Sequence, residues 1–189
     1  MPDPMTQQFW QEEEDELWQV IIVLYIAAFL AGVEGGIAEL PEELQPLVNV
    51  DDFNGIAVNY ARQYRYTLIH GINETTRTGA QRTVFEWMQD ETDLIALAAM
   101  LALIFSEARA RMIAVTEVTR IYALGYAAAW QATRGRVKRV KWSTQRDEKV
   151  CPICAPLDGQ TFSVNDLSHH PPAHQNCRCW IEPVVEKNG

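Results

Sequence analysis

All four cysteines of this 189-residue chain fall between positions 151 and 179, and that cluster restricts the fold more than any other feature. Cys151-Pro-Ile-Cys154 is a C-x-x-C turn, and the later string His174-Gln-Asn-Cys177-Arg-Cys179 adds three further nitrogen or sulfur donors. A tetrahedral zinc ion takes four such donors at about 2.0–2.3 Å, and two short turns facing each other are the usual way to supply them. Five candidates compete for four places: Cys151, Cys154, Cys177 and Cys179, or the same set with His174 replacing Cys179. A C-x-C pair chelates only if its backbone bends, whereas His174 and Cys177 are at a relaxed spacing that turns Cys179 the other way along a strand. His169 and His170 read as loop residues beside the set. Four protein ligands leave no open position for water, so the expectation is a structural zinc with no catalytic residues. A segment this short has no core of its own, and a metal cross-link lets it fold. A disulfide fits less well, because no βαβ pattern of the thioredoxin type surrounds the C-x-x-C turn. The N-terminus also lacks the basic stretch and cleavage site of a signal peptide.

Ahead of the cluster the pattern is helical. A first helix is expected from about Met5, with the acidic run Glu12–Glu16 at the positive end of its dipole. Leu17–Val33 comes next, with Gln19 its single polar side chain. That run approaches the roughly 17–25 residues of a membrane span. Carboxylates close both its ends and no basic residue flanks it, so burial against protein is expected and a membrane partner is not. Gly32 and the pair Gly35-Gly36 are expected to end this helix. Pro41 and Pro46 mark a connection, Asp51 or Asp52 can cap the next helix, and Phe53, Ile56, Ala57, Tyr60, Tyr64 and Leu68 recur at helical spacing towards His70. Tyr60, Tyr64 and Tyr66 read as core rather than as a platform for bases. Gly71 and Gly79 punctuate a polar stretch rich in threonine, and Thr83–Gln89 resumes a helix. Leu94–Phe105 reads as another apolar helix.

Ser106–Gln131 is the longest clear helix. Ala110, Ile113, Ala114, Val118, Ile121, Ala128 and Ala129 are assigned to its buried face, and Glu117 is spaced to pair with Arg120. Gly135 stops it, and Val137–Ser143 alternates as a short strand. The fold class is therefore mainly α: residues 1–50 an acidic and apolar helical segment, 51–135 a helical core, and 136–189 a small β-containing, zinc-knuckle-like subdomain.

Charge is divided along the chain. Residues 1–61 hold twelve carboxylates and no lysine or arginine. Residues 134–149 reverse this, with Arg134, Arg136, Lys138, Arg139, Lys141, Arg146 and Lys149 against Asp147 and Glu148. Such poles suit assembly against a charged partner, and a basic stripe containing Trp142 also suits phosphates.

The C-terminal half resembles the phage head-morphogenesis, or minor head protein, family named for the F protein of phage Mu. The resemblance starts at Ala110-Arg-Met-Ile-Ala-Val-Thr-Glu-Val-Thr-Arg120 and Gly125. It continues through Lys141-Trp-Ser-Thr-Gln-Arg-Asp147, Val150-Cys-Pro-Ile-Cys154, Leu157-Asp-Gly159, Pro171-Pro-Ala-His174 and Asn176-Cys-Arg-Cys179. It implies a virion protein of the phage head, present in the host cytoplasm during assembly, whose partners are the portal protein, the major capsid protein or both. Contact with packaged DNA, through Arg134, Arg136, Lys138, Arg139 and Lys141, is the competing expectation. A remoter one is an HNH-like nuclease built on Asp166, His169, His170, His174 and Asn176, which Pro171-Pro172 opposes by interrupting the helix such a site needs.

Overall fold

A computed structural model describes residues 7–90, 99, 102–104 and 106–185 of the chain. Among these residues three long helices, α1 (Gln7–Ala38), α2 (Asn54–Asp90) and α3 (Glu107–Gln131), precede three strands, β1 (Val137–Ser143), β2 (Thr161–Ser163) and β3 (Trp180–Val185). The fold is mostly helical with a small antiparallel C-terminal sheet that carries the cysteine–histidine cluster, the class expected from the sequence. The chain divides into two compact units, residues 1–24 with 59–111 and residues 25–58 with 112–189.

The first unit contains most of α2. This helix runs unbroken through Gly71 and Gly79, contrary to the punctuation expected there. A glycine costs a helix only about 1 kcal/mol, and the hydroxyls of Thr75 and Thr76 add bonds back to the carbonyls of Gly71 and Ile72 at 2.9 and 2.7 Å. The Arg109 guanidinium donates to both threonine hydroxyls and to the Ile104 carbonyl, tying the start of α3 to α2. Tyr60 and Tyr64 stack on each other with ring centroids 5.7 Å apart; the side chain of Tyr66 lies outside the described residues, as does most of Leu94–Phe105. Ser106 opens α3 as a new helix, its hydroxyl accepting the Arg109 N–H.

The second unit holds the larger core. Val33, Leu44, Ile121, Trp130, Val137, Val140, Trp142 and Ile181 are fully buried. Helix α1 does not stop at Gly32 or at Gly35-Gly36 but continues to Ala38, because these glycines are seats for α3. A Cβ on Gly32 would lie 2.8 Å from the Tyr122 carbonyl oxygen, and one on Gly125 would lie 2.4 Å from that of Phe29. The two backbones therefore touch, and the Trp130 indole donates to the Gly36 carbonyl at 2.8 Å, satisfying an acceptor in the last turns of α1. The same crossing revises the face assigned to α3. Its buried residues are Thr116, Ile121, Ala123, Gly125, Ala127, Ala129 and Trp130, while Ala110, Ala114 and Val118 are exposed.

The apolar run of α1 is likewise buried on one side only: Trp18, Tyr25, Phe29 and Val33 are covered, whereas Val23 and Leu24 are 66% and 64% exposed. Among the described residues no helix is long and apolar enough to cross a membrane. Asn49, not Asp51 or Asp52, supplies the cap before α2, its side chain accepting the Asp51 N–H at the head of a tight turn, Val50–Phe53.

Thr133 and Gly135 set the exit from α3. The Thr133 hydroxyl donates to the Trp130 carbonyl and accepts the Val137 N–H, and Gly135 takes a left-handed φ of 82°. The expected strand β1 then forms the middle of the sheet, in the order β2-β1-β3 and antiparallel to both neighbours. An irregularity between Val137 and Arg139 allows Val137 and Val140, three positions apart, both to be buried.

Candidate metal centre

The C-x-x-C turn lies between β1 and β2. The N–H groups of Cys154 and Ala155 close on the Cys151 carbonyl at 3.1 and 2.9 Å, and the Cys154 N–H also approaches the Cys151 sulfur at 3.4 Å. That N–H···S contact is the main reason the Cys151 thiol lies below its ordinary pKa. From the loop before β3, His174 places Nε2 3.1 Å from the sulfurs of both Cys151 and Cys154, and Cys177 places its sulfur 3.8 Å from that of Cys154. Nδ1 of His174 is 2.7 Å from the Gln175 carbonyl oxygen. A carbonyl only accepts, so Nδ1 carries the proton and Nε2 turns its lone pair towards the thiols.

Two overlapping groups emerge, Cys151 with Cys154 and His174, and Cys154 with Cys177 and Cys179, the donor atoms of each lying within 4.8 Å of one another. Cys154 belongs to both. Zinc bonds of about 2.0–2.3 Å imply donor–donor edges of roughly 3.5–3.8 Å, close to the 3.1 and 3.8 Å separations observed. Each of the two groups therefore offers donors of the right chemistry to hold a metal ion. The cavity beside them has a volume of about 30 Å³, enough for an ion or a water and far below what a substrate occupies.

Cys154, Cys177 and Cys179 are buried with Trp142, and Val150, Leu157 and Phe162 pack around them. Burial drives the Cys154 thiol far above its ordinary pKa and pushes that of Cys179 up to about 11. A bound cation reverses this preference, since ligation requires the thiolate.

Helix α3 clamps the centre. The Asn176 N–H donates to the Thr116 hydroxyl at 2.8 Å, and the Thr119 hydroxyl donates to the Cys177 carbonyl at 3.0 Å. One turn of helix thus holds both sides of the Asn176–Cys177 peptide, with Asn176 in a left-handed conformation. Between them Glu117 accepts the Tyr25 hydroxyl at 2.7 Å and makes the expected pair with Arg120 at 3.5 Å. Asp158 accepts the Thr144 N–H at 2.9 Å and Arg146 Nε at 3.0 Å. Asp147 receives Arg178 on both carboxylate oxygens, each at 3.0 Å. Sequence spacing assigns a pairing only to Glu117 and Arg120; apart from Tyr25 of α1, the other contacts join residues that stand in plain view within the family-like strings.

The remaining candidates disperse. His169 bonds Asp166 at 2.7 Å and stacks on Phe162, His170 is buried, and neither joins a donor group with His174. No helix follows Pro171-Pro172 before β3. Among the basic residues, Arg134, Lys138 and Arg139 are exposed and Arg136 is half-buried. Arg139, however, bonds the Thr161 carbonyl, and Lys141 pairs with Glu182.

Fold and site together define a small antiparallel sheet that bears a thiol–imidazole cluster and is clamped to a long helix. The family model described as Phage Mu protein F like protein matches residues 61–182, and the chain belongs to this family of phage head morphogenesis proteins. The match takes in most of α2 as well as the knuckle strings. No curated protein and no solved structure matches the chain.

Proposed function

We propose that this chain is a minor head protein, a non-enzymatic structural component of the virion that docks on the portal protein, the major capsid protein or both during procapsid assembly. The observation that carries the reading is the clamp: the polar residues of the family-like strings are spent on one another. Thr116, Thr119, Asp147, Arg146, Asp158 and Arg178 all bond within the knuckle or to its loops. A catalytic motif would instead aim its polar groups into a cavity large enough for a substrate. Contact with packaged DNA has less support, because Arg139 and Lys141 are already bonded to residues of the neighbouring strands.

The cluster in this reading holds a structural zinc ion that cross-links the two turns. Cys151, Cys154 and Cys177 ligate, and His174 is the fourth ligand, supported by its Nε2 standing 3.1 Å from two of the thiols. Cys179 stays beside them as a buried neighbour. The test is to purify particles made with wild type, Cys179→Ser and His174→Ala chains, and to measure both zinc and incorporated chain. Wild type is expected to co-purify with portal or capsid protein and carry about one zinc per chain. Cys179→Ser keeps that zinc and His174→Ala loses it. Particles that assemble while the wild-type chain stays behind as free monomer sink the head reading. Zinc absent from an incorporated chain sinks only the metal.

A further inference from the structure

The four thiols differ in access. Cys151 is half-buried, with Pro152 and Ile153 exposed beside it, whereas Cys154, Cys177 and Cys179 are buried. An oxidant arriving from solvent therefore meets Cys151 first. The Cys154 N–H approaches the Cys151 sulfur at 3.4 Å, and an amide hydrogen bond favours the thiolate, the form that peroxides attack. Of the other three cysteines, only Cys154 shares with Cys151 a donor group whose atoms all lie within 4.8 Å; Cys177 and Cys179 group with Cys154 and not with Cys151. The hydrogen bond from the Cys154 N–H to the Cys151 carbonyl, at 3.1 Å, closes the turn between them. Such a turn brings its end Cα atoms within about 7 Å, and a disulfide spans about 4.4–6.8 Å.

We propose that Cys151 is an oxidation site for peroxides and that Cys154 resolves it, closing the C-x-x-C turn as a disulfide. The Cys151 thiolate takes one oxygen from hydrogen peroxide and becomes a sulfenic acid, and the other oxygen leaves as water after gaining a proton from solvent. The Cys154 sulfur then attacks the Cys151 sulfur. The S–S bond forms, the S–O bond breaks, and the hydroxyl leaves as water. Its proton comes from the Cys154 thiol or, where that sulfur was on zinc, from solvent. Two thiols are oxidised and one peroxide is reduced. In the zinc-loaded chain the bridge takes two of the four ligands, so the ion is released. Because the bridge lies within one turn, it does not replace the link to His174 and Cys177 that the ion makes. Cys154 and Cys177, with sulfurs 3.8 Å apart, would replace it, but both are buried. Disulfides persist outside the cell and are reduced in the cytosol, so a chain that assembles in one and leaves in a particle holds zinc first and the bridge later. The bridge rests on the placement of the sulfurs; the release of zinc and this timing rest also on the metal and head readings above.

The full chain, as purified, is treated with hydrogen peroxide in slight excess while a chromogenic chelator follows released zinc. Remaining thiols are then alkylated, and cleavage beside Asp158 and Asp166 separates the turn from Cys177 and Cys179 for mass mapping. The expected first product has Cys151 joined to Cys154, Cys177 and Cys179 alkylated, and about one zinc released per chain. Reduction by a dithiol with zinc present restores the starting chain. In Cys154→Ser, peroxide leaves a sulfenic acid on Cys151 that dimedone captures. A first bond from Cys154 to Cys177 or Cys179 overturns the proposal. So does a wild-type chain in which Cys151 and Cys154 both stay open to alkylation, and so does Cys151 carried on to the sulfinic acid with Cys154 still free. Zinc that stays on the bridged chain overturns its release. A chain purified without zinc that still forms the Cys151–Cys154 bridge sinks the metal reading and upholds the oxidation site.

Discussion

Asp158 touches no candidate metal ligand, yet the Thr144 N–H, the Thr144 hydroxyl and Arg146 all converge on it. The Thr144 N–H bond is the largest reason its carboxyl lies below the ordinary value, with the hydroxyl and Arg146 adding to it. A carboxylate whose folded pKa is depressed stabilises the fold above its unfolded pKa of about 3.9 and stops doing so as pH falls through the folded value. Asp158→Asn is therefore expected to lower the urea midpoint at pH 7. The gap from wild type should begin to narrow below about pH 5 and close only after pH has fallen through the folded value; a gap that stays constant would mean Asp158 acts by shape alone. At this scale the cysteine–histidine cluster was legible because its spacing is written locally, in the C-x-x-C turn and the string from His174 to Cys179. The clamp was not. Thr116 bonds Asn176 across sixty positions of sequence, and a threonine in a helix gives no sign of what it holds.

Helices were legible as elements but not in their extents, and glycine explains most of the difference. Sequence counts each glycine as a break. In α2, among the described residues and apart from the helix's own backbone, nothing stands within 4 Å of where a Cβ on Gly71 would lie, whereas Gly125 of α3 is pressed against the backbone of α1. The two positions should respond oppositely to the same substitution. Gly71→Ala is expected to stabilise the chain by up to about 1 kcal/mol, the helix-propensity difference. Gly125→Ala forces α1 and α3 apart and is expected to cost about 1–3 kcal/mol, as overpacking does. Thermal midpoints measured side by side decide it. Equal effects would mean that the crossing is looser in solution than the 2.4 Å between a Cβ added at Gly125 and the Phe29 carbonyl oxygen requires.

In the whole molecule, the pairing of distant segments escaped the sequence altogether. Hydrophobic periodicity reports which face of an element is covered, not by what, so nothing marked residues 25–58 as belonging with 112–189. Within that unit two kinds of cohesion meet. The crossing of α1 and α3 is held by backbone contact, Trp130 and Ile121. The sheet offers three strands, with β2 only three residues long, and a thiol cluster packed on Trp142. A core this small does not hold together unaided, so the proposed zinc cross-link matters to the knuckle far more than to the helices. Removing zinc with a chelator should therefore leave most of the helical circular dichroism while opening the loops around Cys151–Cys179. Two readings report that opening: new protease cuts between β1 and β3, and a red-shifted fluorescence component absent from Trp142→Phe. Adding zinc back should reverse both. If the zinc-loaded and chelated chains give the same cuts and the same spectrum, Thr116, Thr119 and the Asp147–Arg178 pair are sufficient to hold the knuckle, and the metal is dispensable to its shape.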